Sequence, residues 1–546
     1  VARIVLSGRM LDVLIILFLF ILTAGVRLYD LNGAGGTFDE TDYLRNAVNM
    51  VVAFERWDFS KERWKLNYEH PPIGKYMHAL FFIPFAKTLS EQEKDAIIAG
   101  AWIWADPIGV SGEVYRPGRY ASVLYAGLTA IIVYLFGLLF LSRKTGFIAA
   151  LLLAVLPNFI PYHKVMSLDA PISFFFALGA LVFALALKHD TWPWWIGLGI
   201  VSGLAIATKF NLGMLFIFYC IVFVIWRYNN ADSALKFRQK TLAALKKIWH
   251  WKLFFVPVIA LLVLYAVWPW LWPAPVDRMV KTMGVWGLSE DPELEAWDPV
   301  IEPWFGKMVP VKASYYPVYF LFTTPVLVLL LFGASFVYRW KNRSFWSTFV
   351  FIWFITPFLW TLQPQKADGM RYITMIYPPL MILAAQGLQQ FFKTNRRLFY
   401  GTLITFVYLA ALSAWIHPYY MDYYNILIGG PKNVQENNLL EFDFFGEGKK
   451  EAVEWLNLNA APNSVVGAKW DPIDEFGGWR ADIRAYNLIN TNFTGDPHYW
   501  MINHRYRQMF EETDISKVDL SNYEIVHTLM AGNGELAWIY KAKGVS

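Results

Sequence analysis

Repeated uncharged apolar stretches dictate what this chain can fold into. Crossing a hydrocarbon core of about 30 Å as a helix takes roughly 20 apolar residues, with about 17 as a working minimum once flanking residues are counted. Runs of or near that length recur at 11–29, 121–141, 146–162, 171–187, 194–210, 212–226, 253–270, 318–337, 345–360, 373–391 and 398–416. They predict an α-helical polytopic membrane protein with about eleven transmembrane helices. Composition agrees: 18% of the 546 residues are aromatic and only 17% charged, and a mean hydropathy of +0.34 excludes a disordered or ordinary water-soluble chain.

Basic clusters orient these spans. With the N-terminus cytoplasmic, Arg3, Arg9, Arg143, Lys144, Lys188, the cluster from Arg227 to Lys247, Arg339, Lys341, Arg343, Lys393, Arg396 and Arg397 all fall on one side. The apolar stretch 74–89 is short, and counting it as a span would invert every later loop. It is therefore expected to lie at the external interface or to re-enter the membrane. Residues 1–417 form the expected transmembrane domain, in a plasma, inner or equivalent membrane, with a first external loop at 30–120. Residues 418–546 form an expected external or lumenal α/β domain, with a helix at 448–459, a strand at 464–468 and a hairpin of 524–530 with 535–541. The net charge of +5 is scattered in short clusters, so nucleic acid is not an expected partner. The lone Cys220 gives no disulfide framework, and no phosphate-binding Walker loop is present.

The polar chemistry gathers on the external side. Phe38-Asp39-Glu40 follows a glycine-containing loop just beyond the first span. Carboxylates placed there can deprotonate a hydroxyl, hold a metal, or cap a helix, with Asp39 as the N-cap of 41–54. Further along comes Tyr68-Glu69-His70-Pro71-Pro72-Ile73-Gly74-Lys75. Its prolines stiffen the approach to the interfacial helix, or it is simply a turn from which Lys75 snorkels. Asp169, after His163 and Lys164, suits either an N-cap or a functional carboxylate. Lys209, Lys366 and Arg371 are cations on the side where the positive-inside trend does not want them. A phosphate partner accounts for them, as does snorkelling. The histidines lack metal-ligand spacing, so no cofactor is required, while a divalent cation at the carboxylates stays open.

The FDE and HPP-x-GK motifs, in this order in the first external loop, resemble the GT-C superfamily of polyprenyl-phosphate-sugar glycosyltransferases, and within it most closely the protein O-mannosyltransferase family. Arg119-Tyr120-Ala121-Ser122, the segment from His163 to Pro171, Thr208-Lys209-Phe210 and the segment from Arg371 to Pro378 are similar to further segments of these transferases. The lipid A aminoarabinose transferases share the architecture but usually carry Lys where this chain has His70. The resemblance implies transfer of a hexose, by analogy mannose, from a polyprenyl phosphate to a hydroxyl, with protein Ser/Thr favoured over a glycolipid acceptor. A phosphate leaving group needs cations rather than a general acid, so one base suffices. Asp39 is then the expected base, with Glu40 and Asp169 orienting acceptor and sugar. Lys209, Lys366, Arg371 and Arg119 would bind the donor phosphate, and attack opposite the phosphate would invert the anomeric centre. Trp272, Trp286, Trp297 and Trp304 are available to stack on sugar or peptide. A transporter and a non-catalytic binding protein of the same fold are the competing classes. The span interiors are almost uncharged, which disfavours the transporter. The C-terminal region carries no phosphate or hydroxyl motif, so acceptor selection rather than catalysis is expected of it.

Overall fold

The computed structural model describes residues 2–66, 68, 70–99, 113–231, 238–239, 241–242, 250–284, 301–362, 368–443, 445–469, 478–487, 497–505 and 520–544. Every apolar run named above falls largely on helix. Among the described residues, five helices are long and apolar enough to cross a membrane: Arg9–Leu28, Glu113–Phe140, Asp169–His189, Phe210–Asn229 and Asn395–Ile416. Two bent pairs bring the number to 7, and Trp192–Ile206, Trp251–Val267 and Phe345–Trp360 are shorter apolar helices. The protein is an integral membrane protein, although length and composition qualify fewer spans than the expected eleven or so.

Part of the difference is the shortness of these helices, and part lies where proline interrupts helices. The run 146–162 is not one straight span: the helix Arg143–Ala154 gives way to turns at Pro157–His163, with a bend of 73°. The run 318–337 breaks between Tyr315–Thr323 and Val326–Asn342, with a bend of 112°. Pro325 follows Thr324, and proline both removes an N–H and biases the preceding residue away from helix. Carbonyls released at this corner would be costly if buried and unbonded. Asn425 donates to Leu321 O and Thr324 O, each at 2.7 Å, and Asn158 donates to Thr323 O at 2.8 Å.

The short apolar stretch after the paired prolines forms the helix Ile73–Ala86, which packs beside the helix Phe38–Glu55. After the last long helix the chain makes a helix at Lys449–Asn459 and a five-stranded mixed sheet. A short antiparallel pair, β1 (Ile301–Pro303) and β2 (Met308–Pro310), precedes that sheet in the chain. The sheet strands are β3 (Val465–Lys469), β4 (Arg484–Asn487), β5 (Tyr499–Asn503), β6 (Tyr523–Ala531) and β7 (Gly534–Ala542), in the order β4-β3-β5-β7-β6. β3 runs parallel to β4 and β5, while β7 is antiparallel to β5 and β6. The expected helix, first strand and hairpin are present. β5 escapes pattern reading because all five of its residues are buried, which removes the alternation.

The segment between the last long helix and the sheet is sewn into the helical part. Phe305 N donates to Leu439 O at 2.6 Å, Gly448 N to Ala34 O at 3.2 Å, and Glu441 N to Tyr319 Oη at 2.9 Å. One hydrophobic cluster runs continuously from the helices into the sheet.

Candidate active site

The helix Phe38–Glu55 starts at Thr37, whose N–H and hydroxyl both donate to the Glu40 carboxylate at 3.1 Å. Such a carboxylate at the third helical position completes a capping box. Asp39 is therefore not the cap. It occupies the second helical position, and 36% of its side chain is open.

Glu40 is fully buried. Its carboxylate also accepts from Met166 N at 2.8 Å and from Arg119 through Nε, at 2.7 Å, and Nη2. The remaining Arg119 donors go to Leu31 O at 3.1 Å, Asn32 Oδ1 at 3.0 Å and Gly35 O at 2.7 Å. A guanidinium has five N–H groups, and these five bonds use all of them. Arg119 thus has no donor left for a phosphate, and Glu40 presents nothing to an acceptor. The two expected site residues form instead an internal clamp that joins the first loop, the N-terminus carrying Asp39 and the segment leading to Asp169.

The open side of the site is built by four of the expected residues. Arg371, drawn from a turn 332 residues beyond Asp39, donates through Nη2 to the Asp39 carboxylate. Its Nε donates to Asp169 Oδ2 at 2.8 Å. Lys209 Nζ lies 3.7 Å from Asp169 Oδ1 and 4.5 Å above the Tyr372 ring. Asp169, Lys209 and Arg371 are buried. Burial lowers the pKa of Arg371, but the Asp39 and Asp169 carboxylates outweigh it and hold the guanidinium above its ordinary pKa. Asp169 begins the helix Asp169–His189, with Leu168 in the cap position, so it is not the N-cap either. Its carboxylate accepts from Ser167 Oγ at 3.2 Å and complements the positive end of the helix.

The paired-proline motif supports this cluster. Pro71 and Pro72 are buried, and Ile73 N donates to Ala207 O at 2.9 Å, two residues before Lys209. A Cβ on Gly74 would meet Leu168 Cδ2 at 2.4 Å, Pro171 Cγ at 3.3 Å and Thr208 Cγ2 at 3.5 Å. This glycine thus allows the loop to lie directly against the segments carrying Asp169 and Lys209. Lys75 does not snorkel: it is buried and donates to His70 O at 2.7 Å, closing the motif on itself. Glu69, Lys366, Trp286 and Trp297 lie outside the described residues. Trp272 donates Nε1 to Tyr265 O at 2.8 Å, and Trp304 stacks on Tyr315 at 6.2 Å, so both are engaged within the protein.

Sequence reading missed several residues of this site. Asp368 lies 3.8 Å from Arg371 Nη1 and accepts from Tyr372 Oη at 3.2 Å. Tyr372 follows Arg371 directly and Asp368 lies three positions before it, so their proximity was available as a signal. Phe445, under the Arg371 guanidinium at 4.8 Å, had none. Among the described residues, one group of three carboxylates lies close enough together to hold a metal, Glu302, Asp368 and Glu441, with oxygens within 4.8 Å of one another. Burial raises Glu302 to about 7 and pushes Glu441 well above the usual carboxylate range. Arg505 Nη1 stands 3.8 Å from Glu441.

Residues 95–272, about a third of the chain, match the family described as dolichyl-phosphate-mannose-protein mannosyltransferase. That segment contains Arg119, Asp169 and Lys209, and the match supports the likeness to GT-C polyprenyl-phosphate-sugar transferases. No curated protein matches the chain in sequence. Among solved structures, ArnT from Cupriavidus metallidurans bound to undecaprenyl phosphate is similar at 12% identity and a TM-score of 0.49, covering 98% of each chain. The archaeal oligosaccharyltransferase AglB from Archaeoglobus fulgidus, in complex with an inhibitory peptide and a dolichol-phosphate, is similar at 13% identity and a TM-score of 0.44, over 91% of this chain and 70% of that one.

Proposed function

We propose that this protein is a membrane glycosyltransferase that moves a hexose, by analogy mannose, from a polyprenyl phosphate to a hydroxyl, with protein Ser/Thr as acceptor. The observation that carries this reading is the convergence of Asp39, Asp169, Lys209 and Arg371, from four distant segments, on one partly open site. The acceptor preference rests on the His70-Pro71-Pro72-x-Gly74-Lys75 motif and the mannosyltransferase family match. The site lies on the external side, with the N-terminus cytoplasmic, as the basic clusters require.

Chemically, the acceptor oxygen attacks the anomeric carbon from the side opposite the phosphate. Its proton passes to Asp39, the anomeric C–O bond breaks, and that electron pair leaves on the lipid phosphate. Configuration inverts. Arg371 and Lys209 neutralise the charge that grows on the phosphate, so no general acid is needed. Asp169 holds both cations in place. Glu40 and Arg119 fix the scaffold and touch no reactant.

Purified full-length protein, supplied with radiolabelled polyprenyl-phosphate mannose and either a Ser/Thr peptide or lipid A, tests the reaction and its acceptor. Peptide labelling is the expected outcome; labelling of lipid A alone would replace the acceptor, and movement of lipid without transfer would support the transporter class. Asp39→Asn is expected to bind donor and suppress turnover. Full activity in that variant would refute the assignment of the base.

A further inference from the structure

We infer that Phe445, well beyond the last long helix, is a positioning residue for the donor phosphate, so that the C-terminal portion completes the site rather than only selecting the acceptor. This rests on the reading of Arg371 as a phosphate-binding cation. The Arg371 guanidinium lies 4.8 Å from the centre of the Phe445 ring, on the face where a ring's negative quadrupole attracts a cation. Two edges of that guanidinium are already directed by carboxylates, Nη2 to Asp39 and Nε to Asp169. The ring adds to those ionic bonds an apolar wall that the guanidinium rests against. With both in place, the donors of Arg371 have less room to shift.

Phe445 is itself immobilised. It is buried in a small cluster with Tyr162, Val165 and Met421, which come from the broken-helix segment before Asp169 and from the turn after the last long helix. Gly448, three residues later, bonds to Ala34 O in the loop that leads to Asp39. The ring is therefore fixed to the same segments that carry the two carboxylates. A displacement of the C-terminal portion would remove it from Arg371.

The experiment uses full-length protein and undecaprenyl phosphate, the product-like lipid, as the probe of the phosphate site. Phe445→Leu keeps an apolar side chain of somewhat smaller volume and removes the π face; Phe445→Tyr keeps the face. Leu is expected to weaken undecaprenyl phosphate about threefold to tenfold while leaving the melting temperature in detergent near wild type, and Tyr to restore wild-type affinity. In an Arg371→Ala background, Phe445→Leu should have no further effect on affinity. Transfer by Phe445→Leu should lose its wild-type rate through a raised donor KM with kcat little changed. Wild-type lipid affinity in Phe445→Leu, alongside a clear loss in Arg371→Ala, would overturn this inference alone. An equal loss from Phe445→Leu with and without Arg371 would also overturn it. Unchanged affinity in Arg371→Ala would instead overturn the donor reading on which it rests.

Discussion

Glu40 and Asp39 are adjacent carboxylates, yet the structure gives them opposite responses to the same substitution. Glu40→Gln replaces one acceptor oxygen by an NH2 donor inside a site where Thr37 N, Thr37 Oγ1, Met166 N and Arg119 Nε and Nη2 all donate. At least one donor then faces another donor, and Arg119 is left as a buried cation with no ionised partner. Removing the charge from one member of a buried pair costs about 3–5 kcal/mol, a large part of a typical total stability of roughly 5–15 kcal/mol. Asp39→Asn, by contrast, alters a partly open side chain whose partner Arg371 keeps Asp169. Thermal melting in detergent, followed with transfer activity, separates them: Glu40→Gln should lower the melting temperature and lose activity with it, whereas Asp39→Asn should melt near wild type and lose turnover alone. A Glu40→Gln protein that melts like wild type but cannot transfer would mean that Glu40 acts in the chemistry and that the clamp is incidental.

Other perturbations give distinct outcomes. Gly74→Val should force Leu168 away and displace Asp169, and loss of undecaprenyl-phosphate affinity in a folded variant would show it; unchanged affinity would mean that the close approach is not needed. Lys209→Ala should weaken polyprenyl-phosphate donor and polyprenyl-phosphate product alike, by about 1.5–3 kcal/mol or roughly ten- to a hundredfold, because a charge-assisted contact to their shared group is lost; equal affinities measured by calorimetry would return this lysine to a role in packing. The raised pKa of Glu302, from an ordinary 4.5 to about 7, means that the folded state binds more protons than the unfolded state between those values. Stability from this group is complete below about 4.5 and lost as pH rises through about 7. Melting temperatures of Glu302→Gln should accordingly fall less than wild type between pH 5 and 8, and parallel curves would contradict the burial argument.

Much of this architecture is legible from local signals. Apolar length located the helices, and residue chemistry picked out Asp39, Asp169, Lys209 and Arg371, since charge is scarce in such a chain and each instance must have a reason. What sequence could not settle is direction. Glu40 and Asp39 differ by one helical step of about 100°, which sends one into the Arg119 clamp and the other to the open side. Asn158 and Asn425 look like ordinary loop residues until the helix break at Pro325 supplies the carbonyls they bond. Phe445 is invisible because its partner is 74 positions away in sequence and no motif marks either its loop or its ring.

The ionic partners of Arg371 also bear on selectivity for the donor. Among the described residues, two cations, Lys209 and Arg371, face three carboxylates, Asp39, Asp169 and Asp368. These residues together carry no net positive charge, so they give a soluble sugar phosphate no long-range attraction. In the proposed mechanism, phosphate would enter by exchange, taking Arg371 from Asp39, and the same exchange would release the carboxylate proposed to receive the proton. A donor held at the membrane by its polyprenyl chain can attempt that exchange repeatedly at high local concentration, whereas a water-borne one cannot. On that proposal the counter-ions of Arg371 would act as a filter for lipid-borne substrates and tie the arming of the base to the arrival of the donor.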